Sequence, residues 1–261
     1  MTKNDLGRPN KHEVVSLADQ LLLHVFNIPA PIKMIKRAAK LRKFAEQSGV
    51  TLARLCLEID PCGSLACPIC RRRDQLSFIR DNGAALIAAV RKRSTDFEAW
   101  KSVTIIPEAG RTEVGKEPRS GLKKLMESAA RKLRACAPGA VGRFYIDLSW
   151  NIDISSHEHW QWHIHGLISE ISKEQERAVR AAFSWRSEEY IKPAVFKRIR
   201  EPIGFLAYAA KPNFSCRVDI VDDSGNRNTR KKGLTRSQEL LVGRAVCKYK
   251  VKQRRFKIGF M

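Results

Sequence analysis

The amino-acid sequence predicts an α+β fold built on an antiparallel sheet, with the element order β-α-β-β-α-β and helices packed on one face. Two observations predict this class. Residues 143–169 hold two alternating strand patterns joined by a polar turn, and helical patterns flank this pair on both sides. Hydrophobic residues make up 43% of the 261 positions, which excludes a disordered chain and is enough for a core.

Residues 1–55 are predicted to form a basic helical segment. Two helices are expected within residues 12–50, and the second starts at Pro31 and carries one apolar face. A stripe of cations beside that face is wide enough to follow a phosphate backbone, although such a stripe is more often an ordinary solvated helix face. These cations are Lys33, Lys36, Arg37, Lys40 and Lys43.

Residues 56–98 combine a cysteine-rich stretch with a helix expected over about 71–93. Four of the seven cysteines lie within fifteen positions, namely Cys56, Cys62, Cys67 and Cys70. Such spacing is typical of a structural Zn²⁺ site, in which thiolates close a loop that has no core of its own. The alternative is four buried free thiols, which this density disfavours.

Residues 99–222 are predicted to hold the β-α-β-β-α-β unit. Strands are expected at 100–106, 142–151, 160–169 and 194–200, and helices at 118–136 and 172–183. A short helix at 202–210 and a strand at 216–221 follow this unit.

The two strands within residues 142–169 predict a metal site. Alternate side chains share one face of a strand, so pairing the two apolar faces leaves Asp147, His163 and His165 together on the other face. Imidazoles at i and i+2 lie about 7 Å apart along the chain, close enough to share one ion. With a carboxylate they form a nitrogen and oxygen site suited to Mn²⁺ or Mg²⁺. The alternative is a solvated sheet face that binds nothing.

Four stretches together resemble the motifs of HUH endonucleases, above all of single-tyrosine rolling-circle replication initiators of small bacterial plasmids. Residues 162–168 match the histidine–hydrophobic–histidine motif, and residues 208–211 match the tyrosine-x-x-lysine motif. Residues 103–107 and 145–151 are similar to two strand motifs, the second with Asp147 where the family usually has glutamate. The cysteine stretch also resembles one that precedes the catalytic domain in this family, so the likeness covers about residues 56–212.

This resemblance implies an HUH endonuclease fold, related to ferredoxin-like and RRM-like sheets, and a DNA-nicking activity. Tyr208, with Lys211 beside it, would attack single-stranded DNA at the origin hairpin of a plasmid or phage. The products would be a 5′-phosphotyrosine and a free 3′-OH that primes rolling-circle replication. The resemblance leaves room for a host helicase or polymerase as a partner. Taken alone, the tyrosine-x-x-lysine pattern of Tyr208 and Lys211 more often describes a buried tyrosine beside a solvated lysine.

One position departs from the family pattern. The initiators carry a glutamate one helical turn before the tyrosine, where it activates water for the terminating step. Gly204 stands at that position here, and Glu201 lies three residues earlier. Termination would therefore use Glu201, another group, or a second tyrosine-mediated transfer.

Two other classes of protein stay open. A transposase with the same tyrosine chemistry usually carries larger accessory regions than 261 residues hold, which favours the initiator. A non-catalytic zinc-containing DNA-binding or repressor protein would bind duplex DNA and leave it uncut. Nicking of single-stranded DNA distinguishes the non-catalytic protein, which would not nick, from the initiator and the transposase.

Residues 223–261 are predicted to form a basic C-terminal DNA-binding tail. Cations of this kind contact phosphate without reading sequence, and recognition of the origin by the tail stays open as the alternative. A helix is expected from Thr235, and three lysines after it alternate as on an edge strand. The tail cations are Arg230, Lys231, Lys232, Lys248, Lys250, Lys252, Arg254 and Arg255.

The overall charge also indicates an anionic partner. Lys plus Arg number 49 and Asp plus Glu number 27, which gives a formal net charge of +22. Nucleic acid and acidic membranes are the usual partners of such an excess. No apolar run approaches the ~20 residues of a membrane span, and residues 1–15 lack the apolar stretch of a secretion signal. We therefore expect a cytoplasmic nucleic-acid binder with no membrane contact.

Overall fold

A computed structural model of the chain describes residues 32–47, 62–92, 100–116, 121–169, 171–185, 192–199, 202–211 and 213–259. The predicted first helix, within residues 12–30, and Cys56 lie outside these ranges. The helices are α1 (Ile32–Gln47), α2 (Pro68–Lys92), α3 (Leu122–Cys136), α4 (Lys173–Ala182), α5 (Pro202–Ala209) and α6 (Arg236–Val246). The strands are β1 (Trp100–Ile105), β2 (Arg111–Glu113), β3 (Gly142–Ile152), β4 (Glu158–Ser169), β5 (Ala194–Arg198), β6 (Ser215–Val221), β7 (Arg227–Lys232) and β8 (Arg255–Ile258).

These strands form one sheet in the order β5-β1-β4-β3-β6-β7. The short strand β2 adds to β4, and β8 adds to β3. The predicted succession β1, α3, β3, β4, α4, β5 is present in the chain. The sheet is mixed, however, because β6 runs parallel to β3 while all the other pairs are antiparallel.

One face of the sheet, the core face, is defined by Phe144, Ile146 and Leu148 of β3, and it packs against α3 and α4. Leu125 and Leu133 lie on the apolar side of α3 and belong to the same buried cluster as these strand residues. A capping box at Ser172 starts α4, because that side chain accepts the backbone N–H of the third helical residue. In the described part of the chain, no helix is both long and apolar enough to cross a membrane.

The opposite face, the histidine face, is defined by Tyr145, Asp147, His163 and His165. Helices α2 and α5 pack against part of it through a second buried cluster that joins Tyr145 to Phe78 of α2 and Leu206 of α5. The prediction of helices on one face only is therefore wrong. The sequence pattern could not show this, because α5 is apolar on every side rather than amphipathic.

The predicted basic tail is part of the fold, so its description as a separate segment is wrong. Strand β7 pairs with β6, and β8 pairs with residues 142–145 of β3. Helix α6 starts at Thr235, as expected, and buries Val242 and Val246 in the main core. Lys250 bridges to Ser64, and residues 251–254 form a 3-10 helix, so the expected edge strand is absent there.

Gly166, which follows the two histidines, has a packing reason to be glycine. It lies opposite Phe144 in the β3–β4 register, and a Cβ at this position would lie 2.3 Å from Phe144 Cδ1 and 2.7 Å from the Arg143 carbonyl oxygen. We expect Gly166→Ala to lower the free energy of unfolding by about 1–3 kcal/mol, measured by urea denaturation. Gly233→Ala is the control, because nothing lies within 4 Å of a Cβ there and its φ is not positive. Equal stability of the two variants would contradict this account.

Candidate functional site

Asp147, His163 and His165 lie together on the histidine face, as strand alternation predicts. Asp147 and His163 are directly opposed in the β3–β4 register. The two imidazole rings are nearly parallel, with centroids 6.0 Å apart and an interplanar angle of 7°. All three side chains are buried, so the alternative of a solvated sheet face does not apply.

Neighbouring hydroxyl groups orient both imidazole rings. Ser149 Oγ lies 2.7 Å from His163 Nε2 and donates its own proton to Asn151, so Nε2 of His163 is the donor in this contact. Nδ1 of His163 then carries a lone pair and has no hydrogen-bond partner in the described structure. Thr104 Oγ1 lies 3.1 Å from His165 Nδ1, which leaves His165 Nε2 without a partner there as well. Each ring therefore has one buried nitrogen without a hydrogen-bond partner in the described structure.

Burial keeps both imidazoles neutral. Desolvation lowers the pKa of His163 well below its usual value, and the nearby Arg217 guanidinium lowers it further. Desolvation also lowers the pKa of His165 to about 3, although the Asp147 carboxylate acts in the opposite direction. A neutral imidazole is the form that binds metal ions, so these two side chains are in the metal-binding state at neutral pH.

Without added Mn²⁺ or Mg²⁺, the protein should lose stability as the pH falls from about 7 to about 5. Because the pKa values of His163 and His165 lie below the unfolded value of about 6.5, the unfolded chain takes up protons first, and acid favours unfolding. The expected loss is up to about 1.4 kcal/mol per histidine per pH unit below 6.5. Urea unfolding at several pH values measures it.

Two variants isolate this contribution to the pH dependence. The double variant His163→Asn, His165→Asn should flatten the dependence of unfolding free energy on pH. His157→Asn should retain the slope, because His157 is exposed in the turn between β3 and β4. A slope that is equally steep in the double variant would contradict the assignment.

Asp147 is neutralised by a lysine in this structure. Lys211 Nζ lies 2.5 Å from Asp147 Oδ2, and the carboxylate is fully buried. The ligand atoms of Asp147, His163 and His165 do not all lie within 4.8 Å of one another. Among the described residues, only the group of Cys62, Cys67 and Cys70 is that compact. The donor set fits a divalent cation chemically, and binding would require Lys211 to give up Asp147.

Tyr208 projects from α5 beside these histidines. Its ring centroid lies 5.8 Å from that of His165 in an edge-to-face arrangement, and 42% of the residue is exposed. Lys231 Nζ donates to the phenolic oxygen across 3.3 Å, and Lys211 Nζ lies 5.6 Å from the ring centroid. Burial alone would raise the pKa of Tyr208, but the positive charges of Lys211 and Lys231 outweigh it and lower the pKa. The phenol is therefore accessible and shifted towards its nucleophilic form.

Gly204 lies in α5 one turn before Tyr208, so this position carries no carboxylate. Glu201 is outside the described residues. The three options for the terminating step, namely Glu201, another group or a second tyrosine-mediated transfer, therefore stay predictions.

The cysteine stretch brings three thiols together. The Sγ atoms of Cys62, Cys67 and Cys70 all lie within 4.8 Å of one another, with 3.7 Å between those of Cys62 and Cys70. The backbone N–H of Gly63 donates to Cys70 Sγ across 3.2 Å. These three residues could bind a metal such as zinc, which prefers four tetrahedral thiolate or imidazole ligands.

The predicted phosphate-binding cations fall into different environments. Lys36, Lys40 and Lys43 on α1 are exposed, while the side chain of Lys33 is outside the description. Arg37 pairs with Glu239 and donates to Asn213 across 3.0 Å, so it joins α1 to the C-terminal part of the chain.

Arg254 does not contact phosphate from the surface, and that prediction is wrong. The residue is completely buried, its guanidinium stacks 4.3 Å from the Tyr145 ring centroid, and it donates to the Tyr145 hydroxyl. The Tyr145 hydroxyl in turn donates to Asp74, which also forms an ion pair with Arg254 across 3.5 Å. Arg255 pairs with Asp74 and Asp81, so its charge is also used within the fold. The ion pair of Asp74 and Arg254 therefore has a structural role, and with Tyr145 it holds α2 against β3.

The sequence interpretation missed Thr104, Ser149 and Arg217. Thr104 and Ser149 orient the histidines, and Arg217 lies on the same face because it pairs with Asn151 in the β3–β6 register. Alternation within residues 145–151 already places Ser149 on the histidine face. The positions of Thr104 and Arg217 depend on register between strands distant in sequence, for which the sequence gives no signal.

Comparison of the chain with protein-family models, curated proteins and solved structures produced no match. The function proposed below therefore depends on the residues and distances described above and on the motif resemblance.

Proposed function

We propose that this protein is a metal-dependent nickase of single-stranded DNA that acts through Tyr208, as an HUH-type replication initiator of a plasmid or phage does. One observation carries the proposal. The half-exposed phenol of Tyr208 lies against His165 and within reach of two lysine ammonium groups, on the face that also holds His163 and Asp147. A nucleophile beside activating cations and a set of metal-binding donors is suited to phosphoryl transfer.

The reaction exchanges one phosphodiester for another. The Tyr208 oxygen loses its proton to solvent and attacks phosphorus, and a phosphotyrosine bond forms as the bond from phosphorus to the 3′ oxygen breaks. The 3′ oxygen leaves and takes up a proton, which gives a free 3′-OH. Because the bond energy is retained, the same site can rejoin DNA ends without a nucleotide cofactor.

The side chains around Tyr208 have separate tasks. Lys231 and Lys211 favour the phenolate by their charge, and the ring of His165 packs against that of Tyr208 and holds it over the histidine face. Ser149 and Thr104 hold the imidazoles so that His163 Nδ1 and His165 Nε2 stay available. Those two nitrogens and Asp147 would hold Mn²⁺ or Mg²⁺, which would withdraw charge from the phosphate under attack.

A covalent-capture experiment tests the function. The protein is incubated with Mn²⁺ and a labelled pool of single-stranded DNA hairpins with randomised loops, and denaturing electrophoresis then detects protein-linked DNA. The pool supplies the unknown recognition sequence. We expect an adduct that depends on Mn²⁺ or Mg²⁺. If no adduct forms with Mn²⁺ and none forms with Mg²⁺, the proposal is contradicted.

A second candidate is a zinc-containing DNA-binding or repressor protein without catalysis. The ion pair between Lys211 and Asp147 favours it, because it neutralises a carboxylate that the nickase would use for metal. Such a protein would retain duplex DNA and give no adduct. A single-tyrosine transposase would give the same adduct as an initiator, and only the DNA selected from the pool would distinguish these two.

A further inference from the structure

We propose that Lys231 and Arg217 form a binding subsite for one phosphate of single-stranded DNA beside Tyr208. The subsite deepens the proposed function and depends on it for the identity of its ligand. Strands β6 and β7 would supply one wall of the site, a role separate from sequence-independent binding by a basic tail.

Register places both cations on the histidine face. Arg217 is the β6 partner of Asn151, whose side chain accepts the Ser149 hydroxyl on that face. Lys231 is directly opposite Arg217 in the β6–β7 pair, so the two side chains share a face. The contact between Lys231 Nζ and the Tyr208 oxygen, at 3.3 Å, agrees with this placement.

The same register separates Lys231 from its neighbours in sequence. Arg230 and Lys232 pair with Val218 and Cys216; Cys216 belongs to the main core cluster, and Val218 packs against it. Successive side chains of a strand alternate, so Arg230 and Lys232 project towards the other face. Three consecutive cations of equal charge therefore have unequal positions relative to Tyr208.

Positive charge around Tyr208 exceeds negative charge. Lys211 is neutralised by Asp147, whereas no carboxylate in the described part of the chain pairs with Lys231 or Arg217. The Nε atom of Arg217 is buried and has no hydrogen-bond partner among the described residues. The half-buried guanidinium of Arg217 therefore has no anionic partner within the described fold, and a phosphate oxygen would supply one through a charge-assisted hydrogen bond.

Distance links this subsite to the reacting phosphate. Lys231 Nζ already donates to the oxygen that would attack phosphorus, and it lies 5.4 Å from the Tyr208 ring centroid. A phosphate brought up to the Tyr208 oxygen would place a non-bridging oxygen near the same ammonium group. Lys231 would thus exchange a phenol for a phosphate as its partner when DNA binds.

Equilibrium binding tests the subsite without the reaction. A short fluorescent single-stranded oligonucleotide is titrated in buffer without added Mn²⁺ or Mg²⁺ at several salt concentrations, and anisotropy gives the affinity. Lys231→Met should weaken binding roughly tenfold and reduce the slope of log affinity against log salt by about 0.7, the value for one lost contact to single-stranded DNA. Lys231→Arg should restore most of the affinity and the slope.

Two comparisons separate a located subsite from general charge. Lys232→Met removes the same charge from the next residue and should weaken binding less than Lys231→Met does. Lys123 is exposed on α3, which packs on the opposite side of the sheet, so Lys123→Met should bind DNA as the wild type does. Far-ultraviolet circular dichroism and thermal melting check that each variant is folded.

The possible outcomes are distinct. Equal losses in Lys231→Met and Lys232→Met, or no loss in either, would overturn the subsite. If the wild type forms no covalent adduct but Lys231→Met shows the specific loss, the nicking function fails and the anion subsite stands. If the wild type forms the adduct and Lys231→Met binds like the wild type, the subsite alone fails.

Discussion

Tyr208→Phe should abolish the covalent adduct between protein and DNA while leaving single-stranded DNA binding intact. Phenylalanine keeps the ring that packs against His165 and removes only the oxygen, so the fold and the shape of the site are retained. Without the oxygen no phosphotyrosine can form, and we expect the adduct to fall below detection. Electrophoresis of the adduct and anisotropy of a labelled oligonucleotide measure the two properties separately.

Tyr249→Phe is the matched control for that experiment. Its ring packs edge-on against Trp162, with centroids 6.2 Å apart, and it belongs to the core face rather than to the histidine face. This variant should form the adduct at the wild-type level. A covalent adduct in Tyr208→Phe would remove Tyr208 from the mechanism.

Cys70→Ser should release the metal from the cysteine group and destabilise the region around the start of α2. Cys70 is buried next to Cys62 and Cys67, and a serine hydroxyl is a poor replacement for a thiolate. We expect metal content, measured by mass spectrometry, to fall from about one zinc per chain to near zero. The melting temperature should fall as well, because metal bound to the folded state contributes directly to folding.

Two cysteine variants sharpen this test. Cys136→Ser is the control, since Cys136 lies at the end of α3 and is not part of the three-thiol group. Cys56→Ser tests the predicted fourth ligand and should lower zinc affinity if four thiolates bind the ion. Wild-type protein that contains far less than one zinc atom per chain would contradict the metal site.

The grouping of Asp147 with His163 and His165 could be predicted because it depends only on local rules. Alternation fixes which side chains share a face, and a short turn between β3 and β4 makes antiparallel pairing the natural arrangement. The start of α6 could be predicted for a similar reason, since Thr235 and Gln238 form a capping box within four residues.

Features that depend on distant parts of the chain could not be predicted in this way. The parallel pairing of β6 with β3, and the joining of β8 to β3, follow from tertiary packing and leave no pattern in a short window. The charge of Arg254 predicts a surface position, yet its burial depends on Asp74 and Tyr145, which lie far earlier in the sequence. The contact of Lys231 with Tyr208 was missed for the same reason.

The buried pair of Asp74 and Arg254 has a consequence for how the polypeptide can be divided. A recombinant fragment of residues 99–222 would contain Tyr145 but lack both charged partners, and it would also leave the edge of β3 without β8. A fragment that retained only one member of the pair would bury an uncompensated charge, which typically costs several kcal/mol. The candidate site residues therefore depend on both flanking regions, and a fragment of residues 99–222 alone should be insoluble.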